Sequence, residues 1–165
     1  MKLVLCTLFW LAGWSAFGEP QVDGVVTEGE YAHRLDLLDG ELVVFYQKDA
    51  SGGLAIAVRA PTTGWVGVGL GSPVMAGARI FMGYVKEGRP VFSEQLGKGH
   101  SHSPTMGVAD ASAVSQKNGM TTVEFHLPAA QVPPGAEIPV IAASSSSADL
   151  TSFHEDNHDS GTLVP

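Results

Sequence analysis

From residue 19 onward, apolar residues fall in short runs separated by turn signals, and no segment holds a 3.6-residue apolar period. This pattern predicts nine β-strands and no long helix. They are Tyr31–Leu38, Glu41–Lys48, Leu54–Ala60, Trp65–Gly71, Arg79–Lys86, Pro90–Leu96, Ala111–Gln116, Met120–Leu127 and Glu137–Ala143. Asp39-Gly40, Asp49–Gly53, Pro61–Gly64, Glu87-Gly88 and Asn118-Gly119 lie between them. Asn118-Gly119 is the strongest hairpin signal, because a type I′ turn needs positive φ at both central residues. Strands recurring about every 8 to 12 residues point to a β-sandwich or barrel. The serine run Ser144–Ser147 reads as a strand end or loop, and there is no internal repeat or interdomain linker.

The Trp65–Gly71 strand has an unusual alternation. Val66, Val68 and Leu70 fall on one face, whereas Trp65, Gly67, Gly69 and Gly71 fall on the other. Glycine weakens a strand, so three in register mark the close approach of something flat. Tight packing of a second sheet and the docking of a flat ligand both satisfy that condition.

Composition narrows the picture further. The chain has 165 residues, 44% hydrophobic and 16% charged, which suits one domain with a real core. Its 20 glycines and 10 prolines agree with a turn-rich all-β chain. A net charge of −8 without a basic block excludes electrostatic binding to nucleic acid or to an anionic membrane. The first eighteen residues stand apart. Met1-Lys2 form a short positive start, Leu3 to Trp14 an apolar run, and Ser15–Gly18 a small-residue site before Glu19. That is the layout of a secretory signal peptide, too short for a membrane span. The expected mature domain is therefore residues 19–165, secreted or periplasmic, with no membrane span. Losing Lys2 takes its formal charge from −8 to −9. The single cysteine, Cys6, belongs to the leader. Without it, disulfides, thiolate metal sites and covalent c-type haem attachment are all excluded.

Chemistry must then come from histidine, methionine and carboxylates. His33 and His126 fall inside predicted strands, whereas His100 and His102 lie in a predicted loop, Gly97–Pro104. A His-x-His pair can chelate copper or zinc given a third ligand, and Met106 is the nearest candidate. His154 and His158 flank an acidic stretch that reads as a metal site or a solvated loop. Met82 alternates with Ile80 and Tyr84 and reads as core. No Gly-x-Ser-x-Gly elbow, His-Glu-x-x-His helix or phosphate-cradling glycine loop is present.

Several motifs in order along the chain resemble those of DOMON domains, in their short secreted bacterial and archaeal form. They are Asp23-Gly24-Val25-Val26, Glu28-Gly29-Glu30-Tyr31 and the run from Ala60 through Gly64-Trp65-Val66-Gly67-Val68-Gly69. Met75-Ala76-Gly77-Ala78 follows, leading into Gly83-Tyr84-Val85, then Gly119–Phe125, Pro139–Ala142 and Phe153-His154. The resemblance spans nearly all of residues 19–165. The Gly-Trp-Val-Gly-Val-Gly and Met-x-Gly-Ala pair is its most specific part.

The resemblance implies an immunoglobulin-like β-sandwich with a ligand pocket at one end. It implies a non-covalent haem b with Met75 and His154 as axial ligands, His158 being the alternative to His154. Trp65, Gly67, Gly69 and Tyr84 are the expected pocket residues. Met/His ligation raises the potential and leaves the iron suited to electron transfer. The protein is then expected to be a carrier or redox sensor, not an enzyme. With no flavin motif and no following membrane cytochrome segment, its expected partners are separate redox proteins or small-molecule donors and acceptors. Two alternatives stay open: a carbohydrate-binding sandwich without haem, using Trp65 and Tyr84 as platforms, and a copper protein using His100, His102 and Met106.

Overall fold

Alternation within each strand, more than any turn, decides how the chain folds. A strand with Val, Leu, Ile or Phe at every second position must bury that face, and two such sheets bury theirs against each other. The computed structural model describes residues 18–165 except 153, 155 and 156. The expected leader, residues 1–18, lies outside the described residues save for Gly18.

Eleven strands are found among the described residues: β1 (His33–Leu37), β2 (Leu42–Lys48), β3 (Leu54–Ala60), β4 (Val66–Leu70), β5 (Arg79–Lys86), β6 (Arg89–Lys98), β7 (Ser101–Pro104), β8 (Ala111–Lys117), β9 (Met120–Leu127), β10 (Ile138–Ser144) and β11 (His158–Leu163). They form a five-stranded sheet in the order β1-β2-β3-β9-β8 and a six-stranded sheet in the order β11-β10-β4-β5-β6-β7. Every pairing is antiparallel. The result is the two-sheet sandwich that the strand spacing and the family resemblance implied.

The core lies between the sheets. Val44, Ile56, Val58, Val123 and Phe125 meet Val66, Val68, Phe81 and Val140 from the other side. Phe81 and Phe125 stack with ring centres 4.2 Å apart and no solvent exposure. Removing either ring would cost about 3–5 kcal/mol. The Asn118-Gly119 hairpin takes the expected type I′ form, with φ of 53° and 75°.

All nine predicted strands are present. β7 and β11 are additions, and β7 corrects the reading of Gly97–Pro104 as a loop. Both are edge strands of the six-stranded sheet, bonded on one side only. β7 is polar and ends in Pro104, and β11 buries only Leu163. Edge strands need no apolar alternation, so neither left a hydrophobic signature.

Two polar anchors lie on the outer face of the five-stranded sheet. Glu124 is fully buried there. It accepts hydrogen bonds from the Asp23, Gly24 and Val25 amides at 2.5–3.1 Å and from the Tyr31 hydroxyl at 2.9 Å. Burial pushes the Glu124 carboxyl up, against the lowering effect of those hydrogen bonds, and burial beside Glu124 raises the Tyr31 phenol. The carboxylate thereby pins the N-terminal segment across the sheet.

His126 on β9 is the second anchor. Its Nδ1 lies 2.6 Å from Asp110 Oδ1 and its Nε2 lies 2.8 Å from Asp49 Oδ2, so both nitrogens donate when the ring is charged. Partial burial pushes His126 down, but its bonds to Asp110 and Asp49 outweigh this and hold it above the ordinary imidazole value. The Ser51 hydroxyl, chiefly, with His126 and the Gly53 amide holds Asp49 at about 2. The clip's stabilisation is therefore complete below the ordinary histidine pKa and is lost as pH rises through the raised one. On the acid side it fades as pH falls from the ordinary carboxylate range towards about 2. Chemical denaturation of wild type and His126→Ala should differ by about 1 kcal/mol near pH 6, allowing for solvent screening. The difference should shrink at about pH 9, and a pH-independent difference would show that the clip is not ionic.

Candidate functional site

The outer face of the six-stranded sheet is built in rows by its antiparallel registers. One row runs His158, Ala143, Gly67, Met82, Ser93, and the next runs Ser160, Ile141, Gly69, Ile80, Gln95. At the centre of both rows stands a glycine. The core face of β4 is filled by Val66, Val68 and Leu70, while its outer face carries no side chain between Trp65 and Leu70. This bare strip floors a cavity of about 860 Å³, within the range of small-molecule and cofactor sites.

Loops raise the walls. On one side the 71–78 loop carries Met75. The Gly77 amide donates to the Gly97 carbonyl at 3.0 Å, and the Gly97 amide donates to the Ala78 carbonyl at 2.9 Å. A Cβ at Gly97 would overlap the Met75 carbonyl, so only glycine on β6 lets this loop lie so close. On the other side the 145–157 segment carries His154. The Trp65 amide donates to the Ser147 carbonyl, the Ser145 amide donates to the Trp65 carbonyl, and Trp65 Nε1 donates to Ser152 Oγ at 2.9 Å. A Cβ at Gly64 would strike the backbone of Ser145–Ser147. Each wall therefore rests on a glycine that permits backbone-to-backbone packing.

Met75, Trp65, Gly67, Gly69, His154 and His158 all line this one cavity, together with His100 and His102. Met75 and His154 are both half-buried. The rings of His154 and His158 have centres 4.5 Å apart at an interplanar angle of 56°. His102 Nδ1 lies 3.4 Å from Gln95 Oε1. Burial pushes His102 below the ordinary imidazole value, and a charge on His154 lowers it further. The cavity thus favours neutral imidazole at His102.

Tyr84 is not part of the lining. β4 begins at Val66, opposite Gly83, so Tyr84 stands one position past the floor. It packs instead against the buried cluster of Trp65, Ala78, Ile80 and Met82. Met82 does what its alternation predicted, being 1% exposed, and its side of the row also borders the cavity. Phe153 lies outside the described residues.

The pocket location needs correcting too. The cavity lies over the outer face of one sheet, not at an end of the sandwich, because the inner face of β4 is occupied by core side chains. Sequence reading missed Ile80, Ile141 and Ala143 as flanking residues, Gly97 as the seat of Met75, and Ser152 as the partner of the Trp65 indole. The parity of β10 carried the signal for Ile141 and Ala143, but only once its pairing with β4 is known.

The alternatives fare differently against this geometry. Met106 is 84% exposed and does not join His100 and His102 at the cavity. Among the described residues no three His, Asp or Glu side chains are gathered as a metal-ion site. The carbohydrate reading needs an open aromatic platform, whereas Trp65 is 4% exposed and Tyr84 lies off the lining.

No protein-family model and no curated protein sequence matches the chain. Solved structures with a similar fold include the cytochrome b domain of pyranose dehydrogenase from Coprinopsis cinerea. It is 15% identical, covers 79% of this chain and 80% of that one, and has a TM-score of 0.56. The cytochrome domain of Myriococcum thermophilum cellobiose dehydrogenase is 13% identical over 79% of each chain, with a TM-score of 0.58. At these identities the likeness is one of fold.

The seat of Met75 can be tested without any ligand. Gly97→Ala should destabilise the protein by about 1–3 kcal/mol, as overpacking does, and shift the backbone resonances of residues 72–78. Unchanged stability and an unmoved loop would show that the close approach is not needed.

Proposed function

We propose that the chain binds one non-covalent haem b in this cavity, with Met75 and His154 as axial donors, and serves as a one-electron carrier or redox sensor. The observation that carries this reading is convergence. A thioether and an imidazole, far apart in sequence, reach the same cavity from opposite walls, with a glycine strip between them. The donor set suits haem iron, since sulfur and neutral imidazole are both established axial ligands. The apolar flanks Ile80, Met82 and Ile141 suit a macrocycle, and the bare floor leaves room for its edge. The similar folds support the reading as well, both being cytochrome domains.

Haem held by two protein ligands supplies one-electron chemistry at an iron with no open position for oxygen. The chain's own part is to hold the two donors, exclude water and set polarity. Trp65 does so by tying Ser152 to the sheet, and Gly97 by seating the Met75 loop. His154 is the better donor than His158 because it is half-buried in the wall, whereas His158 is exposed on the edge strand. Electrons would come from and go to separate proteins or small molecules. No reaction of its own is assigned to the chain. The signal-like first eighteen residues support a secreted or periplasmic site of action, and among the described residues no helix is long and apolar enough to cross a membrane.

An absorption spectrum of the protein from haem-sufficient cells, oxidised and then dithionite-reduced, tests the proposal. Sharp α and β bands are expected on reduction. Met75→Ala and His154→Ala should each abolish the six-coordinate spectrum and weaken haem retention by roughly tenfold or more. A spectrum empty above the aromatic band after hemin addition would sink the haem reading, and sugar-array and copper titrations would then decide between the alternatives.

A further inference from the structure

Two histidines line the cavity four positions apart, but only one can serve one face of a bound macrocycle. The geometry points to a division of labour: His158 is a positioning residue that fixes the imidazole of His154. This inference rests on the haem reading and names what orients its histidine donor.

The two residues differ in how they are held. His158 opens β11, paired with Ala143 of β10, in the row that continues to Gly67. Its backbone is therefore part of the sheet. His154 lies in the loop wall, and that wall closes onto the sheet immediately before His158. The Asn157 amide donates to the His154 carbonyl at 3.0 Å, and the Ser144 amide donates to the Asn157 carbonyl at 3.0 Å. This turn fixes the His154 backbone and brings residue 158 back beside residue 154. The rings then meet in a tilted contact, with centres 4.5 Å apart and an interplanar angle of 56°. Two axial imidazoles would have the iron between them and their ring centres farther apart than this. The pair therefore cannot be a bis-histidine ligand set in this arrangement.

A loop-borne ligand gains from such a contact, because a side chain free to rotate loses entropy on coordination. A ring already packed against a strand residue loses less, and its plane is fixed. Outer partners of metal ligands commonly change affinity by about 10–100-fold when removed. Because the contact is one of ring against ring, its effect should depend on an aromatic side chain at position 158, not on a titrating one.

His158→Ala, His158→Phe and His154→Ala test this in the full chain. With haem bound, His158→Ala should keep the six-coordinate spectrum but release haem roughly tenfold faster to an apo-globin scavenger. Its low-spin EPR signal should broaden or shift as the His154 ring loses this contact. His158→Phe should restore both towards wild type, whereas His154→Ala should lose the six-coordinate spectrum. In the haem-free protein, the His154 ring proton shifts should move in His158→Ala and return in His158→Phe. That readout stands even if wild type takes up no haem, a failure that would overturn the functional reading alone. Loss of the six-coordinate spectrum in His158→Ala with its retention in His154→Ala would make His158 the ligand and overturn the inference. So would unchanged release and EPR in His158→Ala, unmoved His154 ring shifts, or a Phe variant as impaired as the Ala variant.

Discussion

One strand has to serve two opposite demands. β4 must close the core on its inner face and leave its outer face empty, and an alternation of Val66, Gly67, Val68, Gly69 and Leu70 is the shortest sequence that meets both. The valines and Leu70 are excluded from solvent and meet Ile56, Val58 and Phe125 across the sandwich. The glycines weaken the strand locally, since they add backbone entropy and no packing. That weakness is offset because β4 is central, bonded on both sides by β10 and β5. On an edge the same glycines would leave a frayed strand. The cavity therefore depends on where β4 lies in the sheet order as much as on its composition.

That dependence explains what was legible in the sequence. Nine strands, the Asn118-Gly119 turn and the two-faced character of β4 could be read directly, because each is written in neighbouring residues. The site residues Met75, His154, Trp65, Gly67 and Gly69 came from the family resemblance, and the fold brings all five to one cavity. What could not be read was long-range or edge-specific. β7 and β11 have no apolar period because an edge strand exposes one side to water. The face on which the pocket lies depends on which sheet covers which side of β4. The family resemblance implied Tyr84 as a pocket residue, yet the start of β4 at Val66 leaves it past the floor.

The polar anchors show the same limit from another side. Glu124 reads as an outward-facing strand residue, and by the usual rule it belongs in water. It is fully buried because the Asp23–Val25 segment folds back and supplies three amide donors, with the Tyr31 hydroxyl as a fourth partner. Asp23-Gly24 and Tyr31 lie about a hundred residues away from it, so no local pattern announces the arrangement. His126 is similar: its partners Asp49 and Asp110 come from different turns. Both anchors lie on the five-stranded sheet, away from the cavity, and each joins segments that the strand ladder alone leaves loose. They secure the half of the sandwich that does not carry the cavity.

The walls of the cavity are secured by a different device. The Met75 wall is fixed through Gly97 and the His154 wall through Gly64 and Trp65, in each case by backbone packing on the sheet rather than by charge. Charged anchors near a redox centre would add a fixed field and would respond to pH, whereas backbone contacts do neither. Walls held this way do not depend on the charge of any side chain. Elsewhere in the same sheet charge is used: Glu94 on β6 accepts the Val108 and Ala109 amides and pairs with Arg79. The two glycines on which the cavity walls rest, Gly64 and Gly97, belong to the six-stranded half or its loops.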